Sequence, residues 1–271
     1  MDEVLQTLRE QGKSVYNNQG ISVVNVLSES DGIALVLGIL EEVLNKQTVL
    51  YLSGGRTPKE LYREIAGREN IIPGAFAMVD ERFGMPMHDG SNEKMLSGAG
   101  LLRFATVLEI PLYKILQKGH TREETADTYD QTVRNLLARY QSHIGILGIG
   151  IDGHTAGLPA AAGIGLKGSD LEAFQEDLRE RSKSRMVIDY DDKGGFYGER
   201  ITMTFLGLSM MDILFVIVFG EDKKHALELL FSDGTEPFRV KLQGEEEVPS
   251  RFFKRPDIAK KTLVITDQEV L

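Results

Sequence analysis

The chain has 271 residues, with 31 Lys and Arg against 41 Asp and Glu, a net charge of −10 and no cysteine. That length suits one large α/β domain or two small ones, with a core that needs no covalent staples. The acidity weighs against nucleic acid or an anionic membrane surface as partner, since both are held by clustered basic residues, and the missing thiols exclude disulfides, Cys-ligated zinc or iron–sulfur centres and a Cys nucleophile.

Residues 1–13 are charged and amphipathic and lack the apolar stretch of a signal peptide. No apolar run approaches the ~20 residues that span a bilayer, so a cytoplasmic protein is expected. Residues 21–27 read as a strand. Residues 30–45 follow as a helix opened by a Ser or Asp cap, with Ile33, Leu37, Ile39, Leu40 and Leu44 at helical spacing. A second strand is expected over 47–52 and a helix over 57–65, with Pro58 in the first turn, where its missing N–H costs nothing. Residues 75–79 read as a strand, 121–140 as a long helix, 143–149 as a strand, 213–219 as a strand, 222–231 as a helix and 262–266 as a last strand. Strand and helix alternate throughout, which predicts a parallel or mostly parallel sheet with helices on both faces. No linker divides the chain, so one domain over residues 1–271 is expected. Gly-rich 160–168 and the charged run 170–193 read as an insertion or lid within 160–199, with helix over 171–181.

Two turns carry the chemistry. In Leu52-Ser53-Gly54-Gly55-Arg56-Thr57-Pro58 a strand ends in two glycines at a helix start. Glycines let backbone N–H groups approach a ligand, and the helix N-terminus favours an anion. Ser53, Arg56 and Thr57 add side-chain donors. The segment is neither a P-loop nor a dinucleotide fingerprint, and a tight turn with no ligand is the plain alternative. The second turn, Gly148-Ile149-Gly150-Ile151-Asp152-Gly153-His154-Thr155-Ala156, puts an acid and a histidine at the carboxyl end of a strand, the edge where open α/β sheets bind ligands. His154 can take a proton from water and Asp152 can orient it. The alternative here is an Asp152 that caps the next helix and an exposed His154 in a turn. No nucleophile elbow occurs, and the five histidines show no metal-ligand spacing.

Together these segments resemble the 6-phosphogluconolactonase family of the glucosamine-6-phosphate isomerase/6-phosphogluconolactonase superfamily. The sugar-phosphate loop is matched by Leu52 to Pro58 except at Arg56, where the family has Ser. The Asp-Glu-Arg motif and its Ser-Asn pair are matched by Asp80-Glu81-Arg82 and Ser91-Asn92, the Asp-Gly-His turn by Gly148 to Ala156, the Arg-Ile-Thr-x-Thr strand by Arg200 to Thr204, and the Gly-Glu-Asp-Lys segment by Gly220 to Lys223. The resemblance implies a modified doubly wound sheet, a Rossmann variant shared with the deaminases, with no metal and no organic cofactor. It implies hydrolysis of 6-phospho-D-glucono-1,5-lactone, a step of the oxidative pentose phosphate pathway, on a small-molecule phosphorylated sugar lactone, in a monomer or dimer. His154 would be the base, with Asp152 and Arg82 beside it. Ser53, Gly54, Gly55, Arg56, Thr57, Asp80, Arg82, Arg200 and Lys223 would hold sugar or phosphate oxygens, with Arg82 also placed to favour the developing oxyanion. For Arg82 and Lys223 the alternative is a surface ion pair with a nearby Glu.

The departures lie close to these residues. After His154 the chain runs Thr155-Ala156-Gly157-Leu158-Pro159, lacking the family's Ser and one residue shorter, and His143 stands where the family has Asp. Residues 160–199 do not align, and 251–268 differ from the common pattern. The rival readings are an aminosugar-phosphate deaminase, which would carry Asp-Glu-Tyr at 80–82 and a Glu at 159, and a non-catalytic sugar-phosphate sensor.

Overall fold

The computed structural model describes residues 1–232 and 248–269. In chain order the first half comprises α1 (Asp2–Glu10), β1 (Val15–Asn18), β2 (Ile21–Asn25), α2 (Glu29–Val43), β3 (Thr48–Leu52), α3 (Arg56–Ala66), β4 (Ala75–Met78), β5 (Asp80–Arg82), α4 (Asn92–Gly98), α5 (Leu101–Val107), β6 (Leu112–Tyr113) and α6 (Arg122–Arg139). The second half comprises β7 (Ser142–Leu147), α7 (Gly168–Ser182), β8 (Val187–Asp191), β9 (Glu199–Met203), α8 (Phe205–Ser209), β10 (Ile213–Val218), α9 (Lys224–Phe231), α10 (Pro256–Ala259) and β11 (Thr262–Thr266). Short 3-10 turns lie at Ala161–Gly163, Glu221–Lys223 and Pro249–Lys254.

The main sheet has eight strands in the order β1-β2-β11-β10-β7-β3-β4-β6. Among the described residues of this sheet only β1 and β2 pair antiparallel; every other neighbour is parallel. The expected mostly parallel sheet is therefore present, and all eleven expected elements appear, ten with ends shifted by two residues at most and the 171–181 helix starting three residues early, at Gly168. The inner strands β3, β4, β10 and β11 are buried along their whole length, which is why they read as unbroken apolar runs rather than alternating ones. Each Leu, Ile or Val they bury contributes about 1.5–3 kcal/mol. Right-handed crossovers put α2, α3 and α5 on one face and α6 and α9 on the other; α3 indeed packs against both α2 and α5.

Strand order locates the crevice. From β3 the chain runs outward to β4 and β6, then returns to place β7 on the opposite side of β3. The carboxyl ends of β3 and β7 thus flank the point where the winding reverses, where an open α/β sheet has its crevice. Their register, Leu52 opposite Ile146, brings both glycine turns out side by side. The end of β10 is next to β7, and β4 runs directly into β5 on the far side.

Beyond the sheet edge stands a second, antiparallel sheet, β5-β9-β8, which the apolar pattern did not signal as a unit. A hydrophobic cluster separate from the main core holds α7 against it, with Ile164, Tyr190 and Tyr197 buried and Leu171, Phe174 and Leu178 packed around them.

Candidate active site

The Ser53 turn is fixed from below. Ser53 is buried; its N–H donates to Ile146 O at 3.2 Å, and its carbonyl accepts the Tyr62 hydroxyl at 2.9 Å. Gly55 takes φ 121°, a left-handed backbone that an L side chain resists, and α3 starts at the next residue. No side chain caps that helix, so its first N–H groups remain available to an anion. Thr57 is buried in its first turn. Arg56 lies at the rim: its side chain is 69% exposed, with Nη1 3.6 Å from Glu29 of α2, and its charge reaches Lys223 in the turn after β10.

The Asp-Gly-His turn carries the sharpest geometry. Asp152 Oδ1 is 2.5 Å from His154 Nδ1 and also accepts the His154 backbone N–H at 3.1 Å. An ionised carboxylate only accepts, so Nδ1 carries the hydrogen and Nε2 is the nitrogen left to take a proton. A side chain at Gly150 would collide with the imidazole, which is how the turn keeps the ring folded over it. Burial alone would push the Asp152 carboxyl up, but the hydrogen bond and charge of His154, with a hydrogen bond from Tyr197, hold it well below the usual carboxylate range. The next helical residues begin only at Ala161, so Asp152 caps no helix. His154 is only partly exposed.

The remaining predicted residues come from three other elements. Arg82 and Arg200 are directly opposed in the β5–β9 pair, and Asp80 faces Thr202 two pairs along, on the same face. Asp80 is buried, and its carbonyl is held by the Asn92 side chain at 2.9 Å. Arg82 donates Nη1 to Gly90 O at 2.6 Å, while its Nε is buried with no hydrogen-bond partner. Arg200 donates Nε to Tyr197 O at 2.8 Å. Burial pulls the Arg200 guanidinium down and the charge of Arg82 adds to that, against Asp80. Lys223 closes the 3-10 turn after β10, and its Nζ donates to Ile149 O at 2.9 Å, tying the third strand end to the histidine turn. Burial lowers its pKa, against the nearby Asp222 and Asp152. Neither Arg82 nor Lys223 is spent on a neighbouring Glu. The site is therefore built from the ends of four adjacent strands and the small sheet, with three cations and one histidine–carboxylate pair.

Three further residues shape the site. Glu81 accepts the backbone N–H groups of Arg82, Asn92 and Glu93 at 2.7–2.9 Å and so locks β5 onto the start of α4. Tyr197 donates its hydroxyl to Asp152 Oδ2 and sets its ring edge-on to His154, with centroids 5.5 Å apart. Tyr197 lies in the stretch that matches no family motif, so the sequence offered no signal for it. Gly157, the departure from the family's Ser, is closed in: a Cβ there would lie 2.9 Å from Thr202 Cβ and 3.1 Å from Asp80 Cβ, and its N–H and C=O are held by Thr202 and Tyr190. Restoring the family residue as Gly157→Ser is expected to destabilise the protein by about 1–3 kcal/mol through overpacking, read as a lowered urea midpoint; an unchanged midpoint would contradict it. His143, the other departure, is buried at the opposite end of β7, with Nδ1 3.3 Å from the Tyr51 hydroxyl, and belongs to the core.

Comparison with known proteins agrees with this architecture. Residues 31–254 match the family described as glucosamine-6-phosphate isomerases/6-phosphogluconolactonase. The chain is 31% identical over 205 residues to a 6-phosphogluconolactonase of Rhizobium meliloti, covering 72% of this chain and 79% of that one. It is 28% identical over 241 residues to a 6-phosphogluconolactonase of a Nostoc species, covering 81% and 84%. Among solved structures, the 6-phosphogluconolactonase of Plasmodium vivax superposes with a TM-score of 0.70 at 18% identity, over 97% of this chain and 94% of that one. With five motifs in order, the reversed strand winding and these matches, the chain belongs to the glucosamine-6-phosphate isomerase/6-phosphogluconolactonase family.

Proposed function

We propose that this protein hydrolyses 6-phospho-D-glucono-1,5-lactone to 6-phosphogluconate. The observation that carries the reading is the His154–Asp152 pair at the winding reversal, linked to the opposed Arg82 and Arg200 of the small sheet through Tyr197, which bonds both Asp152 and Arg200. In this reading His154 Nε2 takes a proton from water and the resulting hydroxide adds to the lactone carbonyl at C1. The ring C1–O bond then breaks, and the imidazolium returns the proton to the departing ring oxygen. Asp152 holds the imidazole in the tautomer that makes Nε2 basic and stabilises the imidazolium. Arg82, directly opposed to Arg200 in the small sheet, contacts the phosphate, and its positive charge also favours the developing oxyanion.

The phosphate and sugar oxygens fall to the first N–H groups of α3 behind Ser53, Gly54 and Gly55, to Thr57, and to Arg200 and Lys223, with Asp80 accepting from a sugar hydroxyl. Arg56, largely in solvent, adds long-range attraction at the rim. Residues 160–199 form a cap on the small-sheet side of one continuous domain, a reading supported by their separate hydrophobic cluster.

The test is acid release from freshly prepared 6-phosphogluconolactone against the spontaneous rate. Acceleration supports the proposal; binding without acceleration, or ammonia release from glucosamine 6-phosphate, overturns it.

A further inference from the structure

Tyr197 sits outside every motif, yet it touches both halves of the site. Its hydroxyl has one proton, and that proton goes to Asp152 Oδ2; the same oxygen accepts the Ala160 backbone N–H at 3.0 Å. Donor and acceptor capacity are both used, so the hydroxyl has one orientation. The backbone is equally constrained: Asp192 accepts the N–H groups of Tyr197 at 2.8 Å and Gly198 at 2.7 Å. The Tyr197 carbonyl takes the Arg200 Nε–H at 2.8 Å. The ring is buried with Ile164 and Tyr190 in the cap's own cluster.

Asp152 therefore has its two oxygens divided, Oδ1 to His154 and Oδ2 to Tyr197. A carboxylate held at one oxygen can rotate about its Cβ–Cγ bond; one held at both cannot do so without breaking a hydrogen bond. We propose that Tyr197 is a positioning residue: its hydroxyl fixes the Asp152 carboxylate that orients His154, while its carbonyl fixes Arg200, so the cap sets the base and the anion-binding arginine in one mutual geometry. The kinetic side of this inference rests on the hydrolase reading above; the structural side does not. Burial and the adjacent Asp152 both raise the Tyr197 phenol well above its ordinary value, so it stays a donor at every working pH. The charged and titratable groups facing this arrangement are Asp152 on the His154 turn, Asp192 behind Tyr197, Arg200 on the Tyr197 carbonyl, and Lys223 from the β10 side.

Tyr197→Phe tests the inference, because it removes only the hydroxyl and keeps the ring, its packing and the carbonyl to Arg200. Tyr197→Ala would empty the cap cluster and confuse folding with positioning. For Tyr197→Phe, kcat is expected to fall about 10–100-fold, as for lost orientation of a catalytic group, with KM within about twofold. The second readout is a double-mutant cycle with Asp152→Asn. Tyr197 is argued to act through the Asp152 carboxylate, so in the Asp152→Asn background Tyr197→Phe should change kcat less than about twofold. Equal falls in both backgrounds would overturn the inference, since additive effects report general loosening. If the unmodified protein fails to hydrolyse the lactone, the functional reading falls, but the same cycle read as thermal stability still decides whether Tyr197 acts on Asp152.

Discussion

Replacing His154 with alanine is expected to lower lactone turnover about 10²–10⁴-fold, the range that a positioned general base supplies, while inorganic phosphate still binds within about twofold of the unmodified protein. The separation follows from geometry. His154 is tied to Asp152 through Nδ1, whereas the groups proposed to bind phosphate lie on α3, the small sheet and the turn after β10. Turnover, corrected for spontaneous hydrolysis, and calorimetric phosphate binding are the two measurements. Full turnover in the variant would refute the base assignment, and a matching loss of phosphate affinity would show that the turn had collapsed. Stability should respond with a defined pH sense. The Asp152 carboxyl is held below its unfolded value, with burial opposing and His154 prevailing. Its contribution is therefore present above the unfolded pKa of about 3.9 and is lost as pH falls below it. His154→Ala removes the partner that prevails, so burial then raises that carboxyl. The variant should melt below the unmodified protein near pH 7, with the gap closing as pH drops through 4.

How much of this was legible before the structure depends on the range of the forces involved. Both glycine turns could be read because each is written in consecutive residues: an apolar strand, glycines, then a helix start or an Asp-Gly-His sequence. That they share one crevice could not, because the adjacency of β3 and β7 arises from chain winding across some 90 residues between Leu52 and Ile146. The small sheet was harder still. The strand β5 is three residues, all polar, and its Glu81 is fully buried because three backbone N–H groups face it, not because it is apolar. Hydrophobic periodicity is blind to such a strand. Tyr197 shows the same limit at the level of one residue: nothing near it in sequence distinguishes it from Tyr190, and its meaning comes from Asp152, 45 positions away. Conversely, the Gly157 departure, three residues from His154, is a packing solution, since the Asp80 and Thr202 side chains occupy the space a Ser would need.

The second large effect is expected at Arg82. Two arginines directly opposed in an antiparallel pair have Cβ atoms about 4.5–5.5 Å apart, and like charges so placed destabilise the pair by about 0.2–1 kcal/mol. Here one of them also leaves a buried Nε without a partner, a defect that costs about 1–3 kcal/mol. Only the Arg82 hydrogen bond to Gly90 O works in the other direction, at about 0.5–1.5 kcal/mol. Arg82→Met removes the repulsion, the unpaired donor and that bond together. The ligand-free variant should therefore be as stable as the unmodified protein or slightly more so, an unusual outcome for a mutation of a half-buried charged residue. Substrate binding should move the opposite way. Loss of a charge-assisted contact to phosphate raises KM about 10–100-fold. Phosphate at about 100 times the unmodified protein's Kd, which stabilises that protein by about 2.7 kcal/mol, should then stabilise the variant by only about 0.4–1.4 kcal/mol. Thermal melts of both proteins, with and without phosphate, decide the matter. A variant that loses stability in the absence of ligand and responds to phosphate as fully as the unmodified protein would mean that Arg82 is a structural residue and that the anion sits elsewhere. The stability change and the affinity change are expected to have opposite signs because a site that opposes two cations before its ligand arrives stores repulsion that the ligand's negative charge relieves.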